Sequence, residues 1–300
     1  MDIVVLFSAL VTATLRYATP LMLAGLGGMF AERSGIINIG LEGTMMVGAW
    51  AAVYGSFLSG SPWVGLLCAI VAGLVVAAMH AVASIHWRAN QVVSGTAINL
   101  LGAGLTEFAM SKIWEQAGQS PRVTAMPEVV NLPIVGKLNL FIYIAFLLVL
   151  ISQIALWKTP WGLRLRACGE HPLAADTVGI NVIKMRWYGT LLSGFFAAVA
   201  GASLSIGMVS RFTNGMTSGR GFIALAAMIF GKWSPGGVML ACLFFGLSDG
   251  LATICQIEGI RIAPEFFNMA PYVITILALA GVVGRSTPPA AEGIPYEKAH

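Results

Sequence analysis

Long apolar runs alternate with short polar breaks along the whole chain. The runs cover roughly residues 3–30, 36–58, 61–85, 92–111, 138–157, 187–210, 221–231, 236–256 and 268–284. They are apolar on all sides, which reads as helix; strands of a membrane barrel would alternate polar and apolar positions. A hydrocarbon core about 30 Å thick takes about 20 apolar residues per spanning helix. Most runs meet that length. The run 221–231 does not, at about 1.5 Å per residue, and is expected to be a half-helix enclosed by the others. The first run is broken by Arg16 and Pro20 and reads as one kinked span or a short helix plus a span. The pattern predicts an all-α polytopic membrane protein with about 8–10 transmembrane helices.

Composition strengthens this reading. Of 300 residues, 57% are hydrophobic and 10% are charged, against about 25% charged in a soluble domain. The start of the chain has no basic stretch ahead of its apolar run, so the first segment is expected to stay as a span rather than be cleaved. The net charge of +4 is spread over helix ends and loops, which gives no nucleic-acid signal. Basic residues orient the chain. The connection 158–186 holds Lys158, Arg164, Arg166, Lys184 and Arg186, which places it in the cytoplasm. Arg33 and Arg88 then fall on the same side. Lys232 and Arg285 join them only if 221–231 crosses. The loop 112–137 falls outside. So does 211–220, whose Arg211 and Arg220 run against the positive-inside rule and mark either a weak topology or a functional feature. The expected organisation is one transmembrane domain, 1–285, and a loosely ordered cytoplasmic tail, 286–300.

Catalytic chemistry is largely excluded. Gly246-Leu247-Ser248-Asp249-Gly250 matches the nucleophile-elbow pattern but lies within a long apolar helix, where that chemistry lacks its strand-to-helix turn. Gly246 and Gly250 instead read as a helix-packing pair. His80, His86, His171 and His300 are too dispersed for a metal site, and the four cysteines are scattered. Gly231-Lys232 is followed by Trp233, and Ala226 stands where a phosphate loop needs glycine, so this chain holds no Walker A site. The informative polar residues are those in or beside apolar runs: Asn38, Glu42, Asn99 and Asp249. Each lines a pathway or bonds to a neighbouring helix. As proton-coupling acids, Glu42 and Asp249 would fit an ion-coupled secondary transporter.

The connection 158–186 is too polar to span. Pro172 to Val178 can form a short helix, with Pro172 suited to the first turn and Gly179 to the stop. Leu173, Ala174, Val178 and Ile180 then look like a knob for a hydrophobic groove on a cytoplasmic partner. The alternative is an interfacial helix lying on the bilayer.

Four blocks together resemble the permeases of ABC importers of the ribose/branched-chain amino acid type. They are Glu32-Arg33-Ser34-Gly35-Ile36-Ile37-Asn38-Ile39-Gly40-Leu41-Glu42-Gly43, the run Asn90 to Leu101, the stretch Gly169-Glu170-His171-Pro172 with Ala174-Ala175 and Gly179-Ile180, and Gly219 to Ala226. The wording of the first two is most similar to the simple-sugar and nucleoside branch. Gln91 departs from the pattern, where many relatives carry Glu. The resemblance implies a multi-pass permease of the bacterial inner membrane. It would move a nucleoside or related small polar solute, or a simple sugar, by alternating access. It implies coupling to ATPase subunits through Glu170, His171, Pro172, Ala174, Ala175, Gly179 and Ile180. A pathway near Asn38, Glu42, Thr96 and Asn99 is expected with it. The chain itself would hold no cofactor, and ATP would be bound by the partner ATPase. A second permease chain, like or unlike, and an extracytoplasmic substrate-binding protein complete the implied assembly. A weak inverted repeat is also implied, with Gly40 to Gly48 answering Gly221 to Gly231.

Overall fold

A computed structural model describes residues 3–115, 118–132, 136–257, 269, 273 and 287–298. The expected span 268–284 lies almost wholly outside the described residues. The helices are α1 (Ile3–Arg33), α2 (Leu41–Ser59), α3 (Pro62–Ala81), α4 (Gln91–Trp114), α5 (Leu140–Lys158), α6 (Pro160–Glu170), α7 (Pro172–Thr177), α8 (Val182–Ala202), α9 (Arg220–Phe230) and α10 (Pro235–Ile257). Wider π-turns extend α3 over Val82–His86 and α8 over Ser203–Val209. Among the described residues, six helices are long and apolar enough to cross a bilayer: α1, α3, α4, α5, α8 and α10.

The boundaries follow local chemistry. Residues 36–40 leave the helix because Gly35 ends α1 with φ +92, a conformation that suits glycine. The α8 helix starts at Val182, earlier than hydropathy alone suggests, because the Asn181 side chain caps it by accepting from the Lys184 N–H at 2.9 Å. Pro20 sits inside α1 without splitting it. In a bilayer, neighbouring helices re-satisfy the backbone group that proline frees.

The core forms around α2, which is buried along most of its length and packs on α3, α8 and α4. The approach is close because glycines face backbone. A Cβ on Gly201 would lie 2.0 Å from the Met45 carbonyl, and one on Gly73 would lie 2.7 Å from the Gly194 carbonyl. Lipid tails give no hydrophobic drive to helix association, so this backbone proximity is the main source of packing energy. Gly246 and Gly250 do the same for α10, against Thr14 and Ala18 of α1.

The two ends differ in charge and structure. At one end the loop 118–126 runs beside 206–214, with the Ser120, Val123 and Met126 N–H groups donating to the Phe212, Ser210 and Ile206 carbonyls at 2.9 Å each. A hairpin of β1 (Glu128–Leu132) and β2 (Gly136–Asn139) lies there too, an element absent from the helical reading of the sequence. Arg211 donates to Gln119 at 2.6 Å, so this cation holds the outer loops together. The opposite end carries Arg33, Arg164, Arg166 and Lys184 and is the end that the positive-inside rule assigns to the cytoplasm.

The short α9 resolves the placement of Lys232. Its 11 residues reach about 16 Å, half a bilayer core. It starts beside α2 inside the protein and ends where Arg33 donates to the Trp233 carbonyl at 3.0 Å and the Lys232 carbonyl at 3.3 Å. Lys232 therefore lies at the cytoplasmic end. The tail corrects an expectation. Residues 287–298 are not a loose end; they lie against the cytoplasmic ends of α1, α6 and α8. The tail is polar in sequence, but Ala291 is only 6% exposed, and backbone hydrogen bonds hold the segment down.

Candidate functional site

The turn 36–40 is a knot of hydrogen bonds between five helices. The Asn38 amide donates to Ser193 Oγ at 2.9 Å, and its oxygen accepts from the Gly40 N–H at 3.0 Å. Gln91 Oε1 accepts from the Ile37 N–H at 2.7 Å. His80 meets the Ile37 carbonyl and Ser94 Oγ, both at 2.9 Å. Asn99 accepts from the Gly43 N–H at 2.8 Å and donates to the Ile39 carbonyl at 3.1 Å. A non-helical turn in a bilayer must have its backbone groups satisfied by protein, and these side chains do so. The departure at Gln91 is legible here: only its carbonyl oxygen is used, while its buried NH2 has no partner.

Glu42 joins the two halves of the chain. Its carboxylate accepts from the Gly219 N–H at 2.8 Å and the Gly221 N–H at 2.6 Å. The α2 and α9 N-termini thus meet head to head, with a Cβ on Gly221 only 2.6 Å from the Glu42 nitrogen. Each helix start carries about half a positive charge, so the carboxylate between them offsets a repulsion. From this meeting point α2 runs outward, where Ser56 donates to the Thr124 carbonyl at 3.2 Å, and α9 runs to the cytoplasm. That opposed pair is the geometry of an inverted repeat. Arg220 lies within electrostatic reach of Asp249 on α10, and its guanidinium also donates to the Met216 and Thr217 carbonyls. The arginine that broke the positive-inside rule is thus matched to an intramembrane acid.

Of the four expected pathway residues, Asn38, Glu42 and Asn99 have their polar groups engaged inside the protein, and Thr96 is exposed on α4. One stripe of α4 is buried: Gln91, Gly95, Ile98, Gly102, Thr106, Met110 and Trp114. The rest is exposed apart from the half-buried Ser94, Asn99 and Ala109. Thr96, Ala103, Glu107 and Ser111 share one exposed face at helical spacing. Glu107 lies about 10 Å from the outer end of the helix, within the bilayer. Sequence reading missed it because it sits in an otherwise ordinary apolar run; its spacing from Thr96 was the available signal.

At the cytoplasmic end, α5 leads into α6 and α7. Thr159 caps α6 by accepting from the Gly162 N–H at 3.1 Å, and Pro160 and Pro172 occupy the helix starts. Glu170 faces Arg33 at 3.6 Å. His171 links α6 to α7, its N–H donating to the Ala167 carbonyl and its carbonyl accepting from Ala175. Leu173 and Val178 are 56% and 74% exposed, and Ala174 is exposed as well. Ala175 is buried and Ile180 half-buried, so they pin the short helix from below. Gly179, at φ +82, turns the chain back. Burial pushes the nearby Cys168 thiol up to about 11, so it is an inert packing residue. Among the described residues, no cluster of His, Cys, Asp and Glu could hold a metal ion.

Comparison with known proteins fits this geometry. The family model for the branched-chain amino acid transport system permease component matches residues 10–279. The guanosine ABC transporter permease protein NupQ of Bacillus subtilis is 44% identical, over 99% of each chain. The nucleoside ABC transporter permease protein NupC of Lactococcus lactis subsp. cremoris is 40% identical, also over 99% of each. A solved metal-chelate type ABC transporter in an inward-facing conformation superposes with a TM-score of 0.51 at 16% identity, covering 91% of this chain and 84% of that one; it shares the fold.

Proposed function

The chain belongs to the permease family of branched-chain amino acid transport systems, and from that premise we propose that it forms the nucleoside pathway of an ATP-driven importer in the bacterial inner membrane. The observation that carries the substrate class is full-length similarity to two nucleoside permeases. Cytoplasmic ATPase subunits bind and hydrolyse ATP. A second permease chain completes the pathway, and an extracytoplasmic protein delivers substrate.

The α4 face bearing Thr96, Glu107 and Ser111 borders that pathway opposite the second chain. A carboxylate in hydrocarbon costs at least about 2.5–3.5 kcal/mol on insertion scales, so its exposure supports an aqueous or protein neighbour over lipid. Asn38, Glu42 and Asn99 act one layer back, by holding the α2 and α9 starts in place. The exposed Leu173, Ala174 and Val178 are the apolar knob that ATPase subunits grip, with Glu170, His171, Pro172, Ala175, Gly179 and Ile180 shaping its base. Transport then needs only a helix packing with two arrangements, opened by turns to each side.

The test is competition. Uptake of labelled guanosine through the assembled importer should be suppressed by unlabelled nucleosides and untouched by excess glucose or ribose. Suppression by a sugar alone would overturn the nucleoside assignment.

A further inference from the structure

We propose that the C-terminal strap, residues 287–298, positions the coupling helix α7 and is part of the coupling apparatus. The inference rests on the reading of α7 as the ATPase contact, and the experiment below separates the two.

The strap touches every element that frames α7. The Ala291 N–H donates to the Gly169 carbonyl at 2.9 Å, and the Ala290 N–H donates to Glu170 Oε2 at 3.2 Å. Both acceptors lie in the last turn of α6, directly before α7. The Gly293 N–H donates to the Gly35 carbonyl at 3.2 Å, at the end of α1. The Ile294 carbonyl accepts from Arg186 Nη1 of α8 at 2.8 Å. Arg88, between α3 and α4, forms an ion pair with Glu297. Tyr296 reaches α7 electrostatically: it lies within range of the Asp176 carboxylate, and its ring faces the Arg186 guanidinium at 5.9 Å.

The fit leaves little slack. A Cβ on Gly35 would come within 3.0 Å of Arg186 Nη2 and 3.3 Å of the Ala291 carbonyl, and one on Gly169 would meet the Arg33 carbonyl at 2.4 Å. Arg186 is 1% exposed, and among its guanidinium nitrogens only Nη1 finds an acceptor, the strap carbonyl. Lifting the strap would remove that acceptor from the guanidinium. A segment that bonds α1, α6 and α8 while reaching α7 fixes the angle at which α7 stands from the bundle. A push on α7 is then shared with α1 and α8 rather than absorbed by a loose loop.

The experiment uses the complete reconstituted importer and reads substrate moved per ATP hydrolysed. Three variants are compared: a stop after residue 286, Tyr296→Ala and Tyr296→Phe. The first two should keep the ATPase subunits bound and lower the ratio by about fivefold or more. Tyr296→Phe keeps the ring and should fall between wild type and Tyr296→Ala; it also keeps the measurement open if the truncated chain does not fold. A strap that only stabilised the fold would reduce the yield of complex and leave the ratio unchanged, and that result overturns the proposal. Leu173→Glu serves as the separate control. If it leaves ATPase binding intact, the reading of α7 fails; if it abolishes binding while the strap variants keep a normal ratio, the strap proposal alone fails.

Discussion

Two carboxylates carry most of the testable chemistry at the scale of single residues. Glu42 satisfies two backbone N–H groups at the start of α9. Glu42→Ala leaves both unmet, at about 1–3 kcal/mol each. Glu42→Gln keeps one acceptor oxygen and should lose about half as much. Thermal unfolding of the detergent-solubilised chain should rank wild type above Gln above Ala; equal midpoints would contradict the capping role. Glu292 lies in the strap, where burial pushes its carboxyl above the ordinary range, against an opposing hydrogen bond with Glu32. A raised pKa means that the docked strap binds the proton more tightly than the free one. Docking is then strongest below the ordinary carboxylate value of about 4.3 and weakens as pH rises through the raised value. Maleimide labelling of Ala291→Cys, measured relative to the exposed Ala290→Cys, should increase over that rise. With Glu292→Gln the increase should be smaller. A flat ratio in the otherwise native chain would contradict the assignment.

At the scale of elements, packing depends on where glycine meets backbone. Gly201 of α8 faces the Met45 carbonyl of α2, whereas Gly104 on α4 faces open space. Gly201→Leu should abolish folded, membrane-inserted protein, and Gly104→Ala should leave its yield unchanged, both read by fluorescence-detected size exclusion. The sequence shows equal glycine abundance at both places; only the partner helix distinguishes them. The long helices were legible because about 20 apolar residues have one physical use. The hairpin and the turn 36–40 were not, because their stability comes from distant residues such as Gly207 and Gln91. The candidate site was legible in part. Block wording located Asn38, Glu42 and Asn99, yet their hydrogen bonds turn inward, and the same α4 run hid Glu107. The tail misled for a related reason: polar composition argues for solvent, but a segment can be held by backbone hydrogen bonds that composition does not record. For the coupling element, replacing the exposed Leu173 and Val178 together with Asp should reduce ATPase co-purification by about tenfold or more without changing membrane insertion. Unchanged co-purification would exclude that surface.

At the scale of the molecule, the described residues form a buried helix, α2, meeting the half-length α9 head to head, with long apolar helices packed around them. They have an outer loop cluster at one end and a basic, strapped face at the other. What that arrangement offers is two helix starts joined through one carboxylate and a short helix exposed at the basic end. Of the intramembrane acids that an ion-coupled carrier would use, Glu42 is engaged as a helix cap and Asp249 lies within electrostatic reach of Arg220, while Glu107 stays exposed on α4. In the proposed account, energy enters through α7. The most direct test is guanosine transport into proteoliposomes holding the permease assembly, its ATPase subunits and its binding protein, with and without ATP and with and without a proton gradient. The account predicts accumulation that requires ATP and is indifferent to collapse of the gradient. Accumulation that continues without ATP and stops when the gradient is dissipated would contradict it.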